Sequence, residues 1–87
     1  MWDDITEQVI DLSYPGEIEA IRSFLLPFGL SFDGNVDYCI ALYKSDRIVA
    51  TGSLAGEVLR NIAVDESLQG EGLTAIVVSR LMAEAGR

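Results

Sequence analysis

The sequence contains no histidine and only one cysteine. Without histidine, the Ser-His-Asp and Cys-His pairs of nucleophilic enzymes and nearly all familiar zinc sites are excluded. Cys39 has no partner for an internal disulfide, and because it lies in an apolar, strand-like run we expect a buried, unreactive thiol. The spacing of Asp33, Asp37 and Asp46 is not that of a calcium loop. We therefore predict no metal site.

Basic residues are also scarce, with 6 Lys and Arg against 14 Asp and Glu and a formal net charge of -8. Such a charge opposes binding to nucleic acid or to an anionic membrane surface, because both depend on neutralising phosphates. The acidity would attract amines or basic peptides. A solvated acidic surface that maintains solubility is the more common explanation.

Long apolar runs are absent, and none approaches the ~20 residues that a membrane-spanning helix needs. The segment Met1–Asp4 is acidic and lacks the basic and apolar regions of a secretory signal. Together with the single cysteine, these features predict a cytoplasmic protein. With 49% hydrophobic and 23% charged residues in a chain of 87, the composition is that of one folded domain spanning 1–87.

The first half of the chain predicts one helix. Ser13-Tyr14-Pro15 is typical of a helix start, because proline fits the first turn, and Pro27 should end the helix at about Leu26. An apolar stripe supports this helix and consists of Ile18, Ile21, Phe24 and Leu25. The preceding run Ile5–Leu12 fits either a short strand or one helical turn. Residues 28–35 read as a connection, with or without a short turn of helix.

The second half predicts strands followed by a helix. Tyr38–Tyr43 and Ile48–Leu54 flank a tight polar turn and read as an antiparallel hairpin. Val58–Val64 reads as a third strand, and a helix should run from Gly72 to Ala85, with Gly86 as its cap. The predicted fold class is α+β, with helices packed on an antiparallel meander.

The segment Val64–Thr74 is the strongest functional signal, since a strand enters it and a helix leaves it. Unpaired N–H groups and the positive end of the helix dipole favour a phosphate at such a turn. Neither a P-loop nor a dinucleotide fingerprint is present, because no Gly-Lys-Ser/Thr follows and Ala75 replaces the third glycine. On the residues alone, a plain strand-to-helix turn and an anion cradle both remain open.

The run Ile62-Ala63-Val64-Asp65, followed by Gln69-Gly70-Glu71-Gly72-Leu73-Thr74, resembles the acetyl-CoA signature of the GNAT N-acetyltransferase superfamily. Gln69 and Gly72 match the core pattern Gln/Arg-x-x-Gly-x-Gly/Ala, whereas Thr74 departs from its small last position. A more specific resemblance, over most of 17–85, is to the N-terminal acetyltransferase-like domain of the citrate lyase ligases. It rests on the helix Glu17–Leu25, the strands within Asp37–Leu54, the run Ala55–Val64 and the turn Gln69–Leu73.

The resemblance implies a site for acetyl-CoA or CoA that is built from main chain. The backbone of Ile62, Ala63 and Val64 would pair with the pantetheine arm as an added strand would. An N–H on this strand would polarise the thioester carbonyl. The N–H groups around the pyrophosphate would come from the glycine turn, namely Gln69, Gly70, Glu71, Gly72, Leu73 and Thr74. Gly70 and Gly72 would permit close approach and positive φ.

The resemblance also implies that the chain corresponds to the first half of the acetyltransferase fold, which continues beyond the signature helix. On this view the catalytic tyrosine and the ATP-using ligase domain lie outside the sequence. The residues themselves offer Glu57 and Glu66 as general-base candidates, although solvated carboxylates are the more common reading. No catalytic residue is assigned.

A second hypothesis is an interaction module. If no further strand follows Val58–Val64, that edge is unpaired, and exposed apolar edges recruit partners. A homodimer that pairs the two edges is the simplest arrangement.

Overall fold

The computed structural model describes residues 4–32 and 35–86. The expectations for Met1–Asp3, Asp33 and Gly34 lie outside these residues. The secondary-structure elements are β1 (Ile5–Val9), α1 (Pro15–Leu25), β2 (Tyr38–Lys44), β3 (Arg47–Ala55), β4 (Val58–Val64) and α2 (Leu73–Ala85). Short 3₁₀ turns, Leu26–Phe28 and Glu66–Leu68, follow α1 and β4.

The four strands form one antiparallel sheet in the order β1-β2-β3-β4. The β2–β3 hairpin closes where Lys44 pairs with Arg47, and the two residues between them, Ser45 and Asp46, have φ of 52° and 66°. Positive φ at both central positions is the requirement of the tight hairpin turn that matches strand twist. The predicted hairpin and α+β fold class are therefore confirmed.

The two helices cover opposite faces of the sheet. Along β2, Cys39 and Ala41 pack in the cluster that contains Ile21 of α1, whereas Ile40 and Leu42 pack with α2. Alternate side chains of a strand point to opposite faces, so a strand buried on both faces has no polar side. This explains why β2 is an almost continuous apolar run. The α2 face is sealed by three fully buried helix residues, Leu73, Val77 and Leu81.

A β-bulge interrupts the pairing of β3 with β4. Thr51 pairs with Ala63 and Ser53 with Arg60, so two residues of β4 face the single Gly52. Asn61, one of the two, has φ 54°, and its carbonyl accepts a hydrogen bond from the Thr51 hydroxyl at 3.0 Å. A bulge bends the strand and changes the direction of the residues after it. In this chain those residues form the end of β4 that leads into the glycine turn.

Gly52 allows α2 to lie close to the sheet. A Cβ atom at this position would be 2.8 Å from Cδ1 of Leu81 and closer still to Cγ1 of Val77. Real Cβ atoms do not approach other atoms so closely, so a larger residue would displace the helix. The position of α2, and of the turn before it, therefore depends on a glycine beneath the helix.

The structure resolves the choice left open for the N-terminal segment in favour of a strand. β1 pairs with β2 from Ile5 opposite Lys44 to Val9 opposite Ile40. The helix bounds agree with prediction, since α1 begins at Pro15 and ends at Leu25. Gly86 caps α2 with φ -83°, outside the left-handed region. In the described residues, no helix is long and apolar enough to cross a bilayer.

Candidate functional site

A cavity of about 400 Å³ opens where β4 runs into α2, and we call it the cradle. Its lining residues are Phe28, Ile62, Ala63, Val64, Leu68, Gln69, Gly70, Gly72, Leu73 and Thr74. None of these side chains carries a charge, although the chain has a formal net charge of -8. Main-chain groups and apolar carbon therefore dominate the surface that a ligand would meet.

The outer edge of β4 forms one side of the cradle. Asp65 N–H donates to the carbonyl of Val49 at 2.8 Å, which makes these two residues a hydrogen-bonded pair. Such pairs alternate with non-bonded pairs along an antiparallel ladder, so Val64, opposite Ala50, directs its N–H and carbonyl away from β3. Ile62, two residues earlier, has the same orientation. Among the described residues, no strand follows β4 at this edge.

The side chain of Gln69 folds back onto the end of β4. Its Nε2 atom donates to the outward carbonyl of Val64 at 3.1 Å. This bond ties the glycine turn to the strand and satisfies one main-chain acceptor at the edge. The neighbouring N–H of Val64 stays available to an acceptor outside the chain.

Along the glycine turn, free N–H groups alternate with one that is hydrogen-bonded within the turn. Glu71 N–H is used within the turn and donates to the carbonyl of Leu68 at 3.3 Å. The N–H groups of Gly70 and Gly72 donate to no other main-chain group of the described residues. Both glycines are left-handed, with φ of 89° and 88°. Free N–H groups at left-handed residues of a turn are donors of the kind that bind anions.

The first turn of α2 adds further donors. The first hydrogen bond of the helix runs from Ile76 N–H to the carbonyl of Gly72, at 3.2 Å. The N–H groups of Leu73, Thr74 and Ala75 consequently have no acceptor within the helix. They lie at the positive end of the dipole of a 13-residue helix, where negative charge is stabilised.

Asp65, the acidic residue next to the cradle, is held by its own partners. The Ser67 hydroxyl and N–H donate to Oδ1 at 2.7 and 2.9 Å, and Arg47 Nη1 lies 2.6 Å from Oδ2. The hydrogen bonds from Ser67, followed by the contact with Arg47, lower the pKa of Asp65 to about 2. The carboxylate thus caps the 3₁₀ turn, and Arg47 balances its charge.

The structure brings together the predicted site residues with one exception. Glu71 is exposed and does not line the cradle, while Thr74 does. Phe28 and Leu68 line it although the sequence does not predict them, because Phe28 belongs to the turn after α1 and only the fold brings it close. A signal exists for Leu68, which is an apolar residue between Ser67 and Gln69 in a polar segment.

The general-base candidates lie outside the cradle. Glu57 is exposed in the β3–β4 turn, at the other end of a seven-residue strand and so roughly 20 Å away. Glu66 lines a separate cavity beside Arg47. Cys39 is fully buried, and this burial raises the pKa of its thiol. In 4–32 and 35–86, no cluster of His, Cys, Asp or Glu could hold a metal ion.

Three curated proteins are similar to this chain over most of its length. The citrate (pro-3S)-lyase ligase of Klebsiella pneumoniae is 41% identical over 64 residues, which are 74% of this chain and 19% of that protein. The Haemophilus influenzae ligase is 31% identical over 67 residues, 76% of this chain and 20% of that protein. The Escherichia coli ligase is 32% identical over 62 residues, 71% of this chain and 18% of that protein.

The chain is a distant homologue of the N-terminal region of the citrate lyase ligases. This homologue spans about a fifth of the length of the ligases it matches. No protein-family model matches it.

A solved structure shows the fold of this chain independently. A protein of unknown function from meticillin-resistant Staphylococcus aureus, described as a probable acetyltransferase, superimposes with a TM-score of 0.66 and 19% identity. The match covers 91% of this chain and 68% of the staphylococcal chain. At this identity the likeness concerns fold, and it confirms the GNAT-like α+β architecture.

Proposed function

We propose that the chain is an acetyltransferase-like domain that binds acetyl-CoA or CoA in the cradle. The pantetheine arm lies along the outer edge of β4, and the pyrophosphate faces the glycine turn and the first turn of α2. The observation that carries the proposal is the meeting of an open strand edge and a set of free N–H groups in one uncharged cavity. The homology to citrate lyase ligases and the likeness to a probable acetyltransferase support it.

The charge distribution supports an anionic ligand at this point. Glu71, the acidic residue inside the predicted signature, lies outside the lining of the cradle. Asp65 is paired with Arg47. At ~5 Å a like charge would cost up to about 1 kcal/mol in water, so the placement of these carboxylates matters. The N–H groups of Gly70, Gly72 and the first turn of α2 supply positive potential without a basic side chain.

In the proposed complex, the acyl group lies at the bulge. Extended pantetheine beside Val64 runs along β4 toward Ile62, which is the point where the bulge bends the strand. The thioester carbonyl then lies near the outward N–H of Ile62. A fixed N–H donor at that oxygen stabilises the negative charge that develops when a nucleophile attacks the carbonyl.

Calorimetric titration with CoA and acetyl-CoA tests the proposal, using two matched glycine variants. Gly70 and Gly56 both have positive φ, and a Cβ atom added at either would have no other atom within 4 Å, but only Gly70 lines the cradle. Gly70→Asp should raise the Kd about fivefold, since it places a carboxylate beside the diphosphate and about 1 kcal/mol of repulsion corresponds to that factor. Gly56→Asp, which adds the same charge at another glycine with positive φ, should leave the Kd unchanged within about twofold. Equal effects of the two variants, or no heat from the parent chain at millimolar CoA, would contradict the proposal.

A second candidate function is self-association through the β4 edge. Val58 at the start of this strand is 62% exposed, which leaves an apolar side chain on an open edge. Because pantetheine and a second strand would occupy the same edge, CoA should dissociate such a dimer. Light scattering with and without CoA tests this. A dimer that CoA dissociates supports shared use of the edge, whereas a monomer at all concentrations removes this candidate.

A further inference from the structure

A second and larger cavity, of about 620 Å³, lies on the other side of the bulge, and we call it the arginine cavity. It is bounded by the C-terminal half of α1, the residues after α1 and the middle of β4. The lining residues are Arg22, Leu26, Gly29, Leu30, Ser31, Phe32, Asn35, Val36, Arg60 and Asn61. Asn61 of the bulge borders this cavity, while its neighbour Ile62 borders the cradle.

Among the described residues, the charged side chains that line the arginine cavity are basic, whereas the chain as a whole is acidic. Two of the 6 basic residues line it, and none of the acidic residues that the structure describes does. Arg22 is held in place because its Nε atom donates to the carbonyl of Phe32 at 3.0 Å and its Nη1 atom pairs with Glu19. Arg60 makes no hydrogen bond or ion pair with the described residues, and its side chain is exposed.

The guanidinium of Arg60 fits a specific ligand chemistry. Its planar N–H donors match the two oxygens of a carboxylate or the oxygens of a phosphate. The remaining wall of the cavity carries apolar side chains, among them Leu30, Phe32 and Val36. Inorganic phosphate would leave that wall unused, whereas an organic acid with a short hydrocarbon chain would contact it.

We propose that the arginine cavity binds a small organic carboxylate, with the carboxylate on Arg60 and the hydrocarbon part on the apolar wall. The proposal concerns a ligand other than CoA and does not rest on the function proposed for the cradle. The two sites would nevertheless be close together, because the adjacent residues Asn61 and Ile62 border the arginine cavity and the cradle. A carboxylate in the arginine cavity would lie beside the acyl end of a thioester bound in the cradle.

Two-dimensional ¹⁵N–¹H NMR titration tests the site with hexanoate, with the uncharged hexanamide and with inorganic phosphate. Hexanoate should shift the amide signals of Leu30, Val36 and Asn61 saturably, while hexanamide and phosphate should bind about tenfold more weakly or not at all. Equal binding of hexanoate and hexanamide would overturn the role of the charge. Phosphate binding as tight as hexanoate would overturn the role of the apolar wall.

Two matched variants assign the charge to its residue. Arg60→Gln should weaken hexanoate binding about tenfold, because it removes the guanidinium and leaves a shorter polar side chain. Lys44→Gln removes the same charge on β2, outside the cavity lining, and should leave the hexanoate Kd unchanged. If the two variants act alike, the binding is non-specific attraction and the proposal is wrong. Unperturbed signals elsewhere in the spectrum confirm that each variant is folded.

The same spectra separate this proposal from the function proposed for the cradle. CoA should shift the signals of Gly70 and Gly72, and hexanoate should shift those bordering the arginine cavity. Failure of hexanoate to bind leaves the CoA result readable, and failure of CoA to bind leaves the hexanoate result readable.

Discussion

The side-chain amide of Gln69 donates a hydrogen bond to the main-chain carbonyl of Val64 at 3.1 Å, across the turn that joins β4 to α2. Gln69 therefore has a structural role, because this hydrogen bond fixes the distance between the edge of β4 and the glycine turn. Its side-chain amide donates to the protein's own main chain.

Replacement of Gln69 by leucine tests that role. The variant nearly keeps the size of the side chain but loses the donor, and we expect a loss of about 0.5–1.5 kcal/mol in the free energy of unfolding. The CoA Kd should rise because the turn no longer has a fixed distance from β4. Urea denaturation and calorimetry measure the two effects. Gln8→Leu is the control, because this glutamine of β1 is exposed and its amide lies 3.5 Å from Oε1 of Glu17, at the limit of a hydrogen bond. It should change neither quantity by more than its error.

Substitutions at Gly52 and Val77 should have strongly coupled effects on the free energy of unfolding. Gly52→Ala inserts a methyl group where α2 touches the sheet, and overpacking of this kind costs typically about 1–3 kcal/mol. Val77→Ala removes the nearest obstacle, so the cost of Gly52→Ala should fall by about 1 kcal/mol or more in that background. A double-mutant cycle of urea denaturation measures the coupling. Additive effects would show that the helix moves away freely.

Asp65 should make stability depend on pH in the acid range. Its pKa is about 2 in the folded chain against an ordinary value of 3.8, because Ser67 and Arg47 favour the carboxylate. A lowered pKa stabilises the fold above pH ~4, and this contribution is lost as the pH falls toward ~2. The difference in unfolding free energy between the parent and Asp65→Asn should thus be constant from about pH 7 to 5 and shrink below pH ~4. A difference that stays constant down to pH ~2 would contradict this role of Asp65.

Cys39 should be unreactive while the chain is folded. It is fully buried on the α1 side of the sheet, and burial raises the pKa of the thiol above its ordinary value of 9.0. The thiolate is the reactive form, so both accessibility and protonation oppose modification at about pH 8. A chromogenic disulfide reagent should react only as urea unfolds the protein, with a midpoint that matches the loss of secondary structure. Rapid labelling without denaturant would contradict the packing described for β2.

The elements that could be predicted are those whose signal is local. Pro15 predicts the start of α1, and the polar pair Ser45-Asp46 predicts the hairpin turn. Gly70 and Gly72 indicate the turn before α2. β1 could not be decided, because most of its residues are exposed and main-chain pairing with β2 holds it in place. Its ion pair between Glu7 and Arg80 joins residues that are distant in sequence.

The sequence predicts the glycine turn and the strand edge of the candidate site, but it does not predict the bulge or the orientation of Glu71. The glycines indicate positive φ, and the strand before them indicates an edge. The bulge is not predictable, since Asn61 looks like one polar residue within an apolar strand, and its left-handed conformation depends on Thr51 and on the contact of its amide with Ser31. The orientation of Glu71 depends on the turn geometry, which the sequence alone does not specify.

Asn61 is an extra residue in β4, so it shifts by one the sequence positions that point to each face of the sheet. Before it, the even-numbered Arg60 lies opposite Ser53 on the α1 side; after it, the odd-numbered Ala63 lies on that side, opposite Thr51. Deleting Asn61 would restore a regular ladder in which Ile62 lies opposite Gly52 and Arg60 still lies opposite Ser53, so both residues would keep their faces. The strand would lose only the residue whose amide donates to the carbonyl of Ser31 and whose own carbonyl accepts from the Thr51 hydroxyl. The extra residue therefore leaves the two faces of β4 unchanged and adds a polar side chain at the border of the arginine cavity.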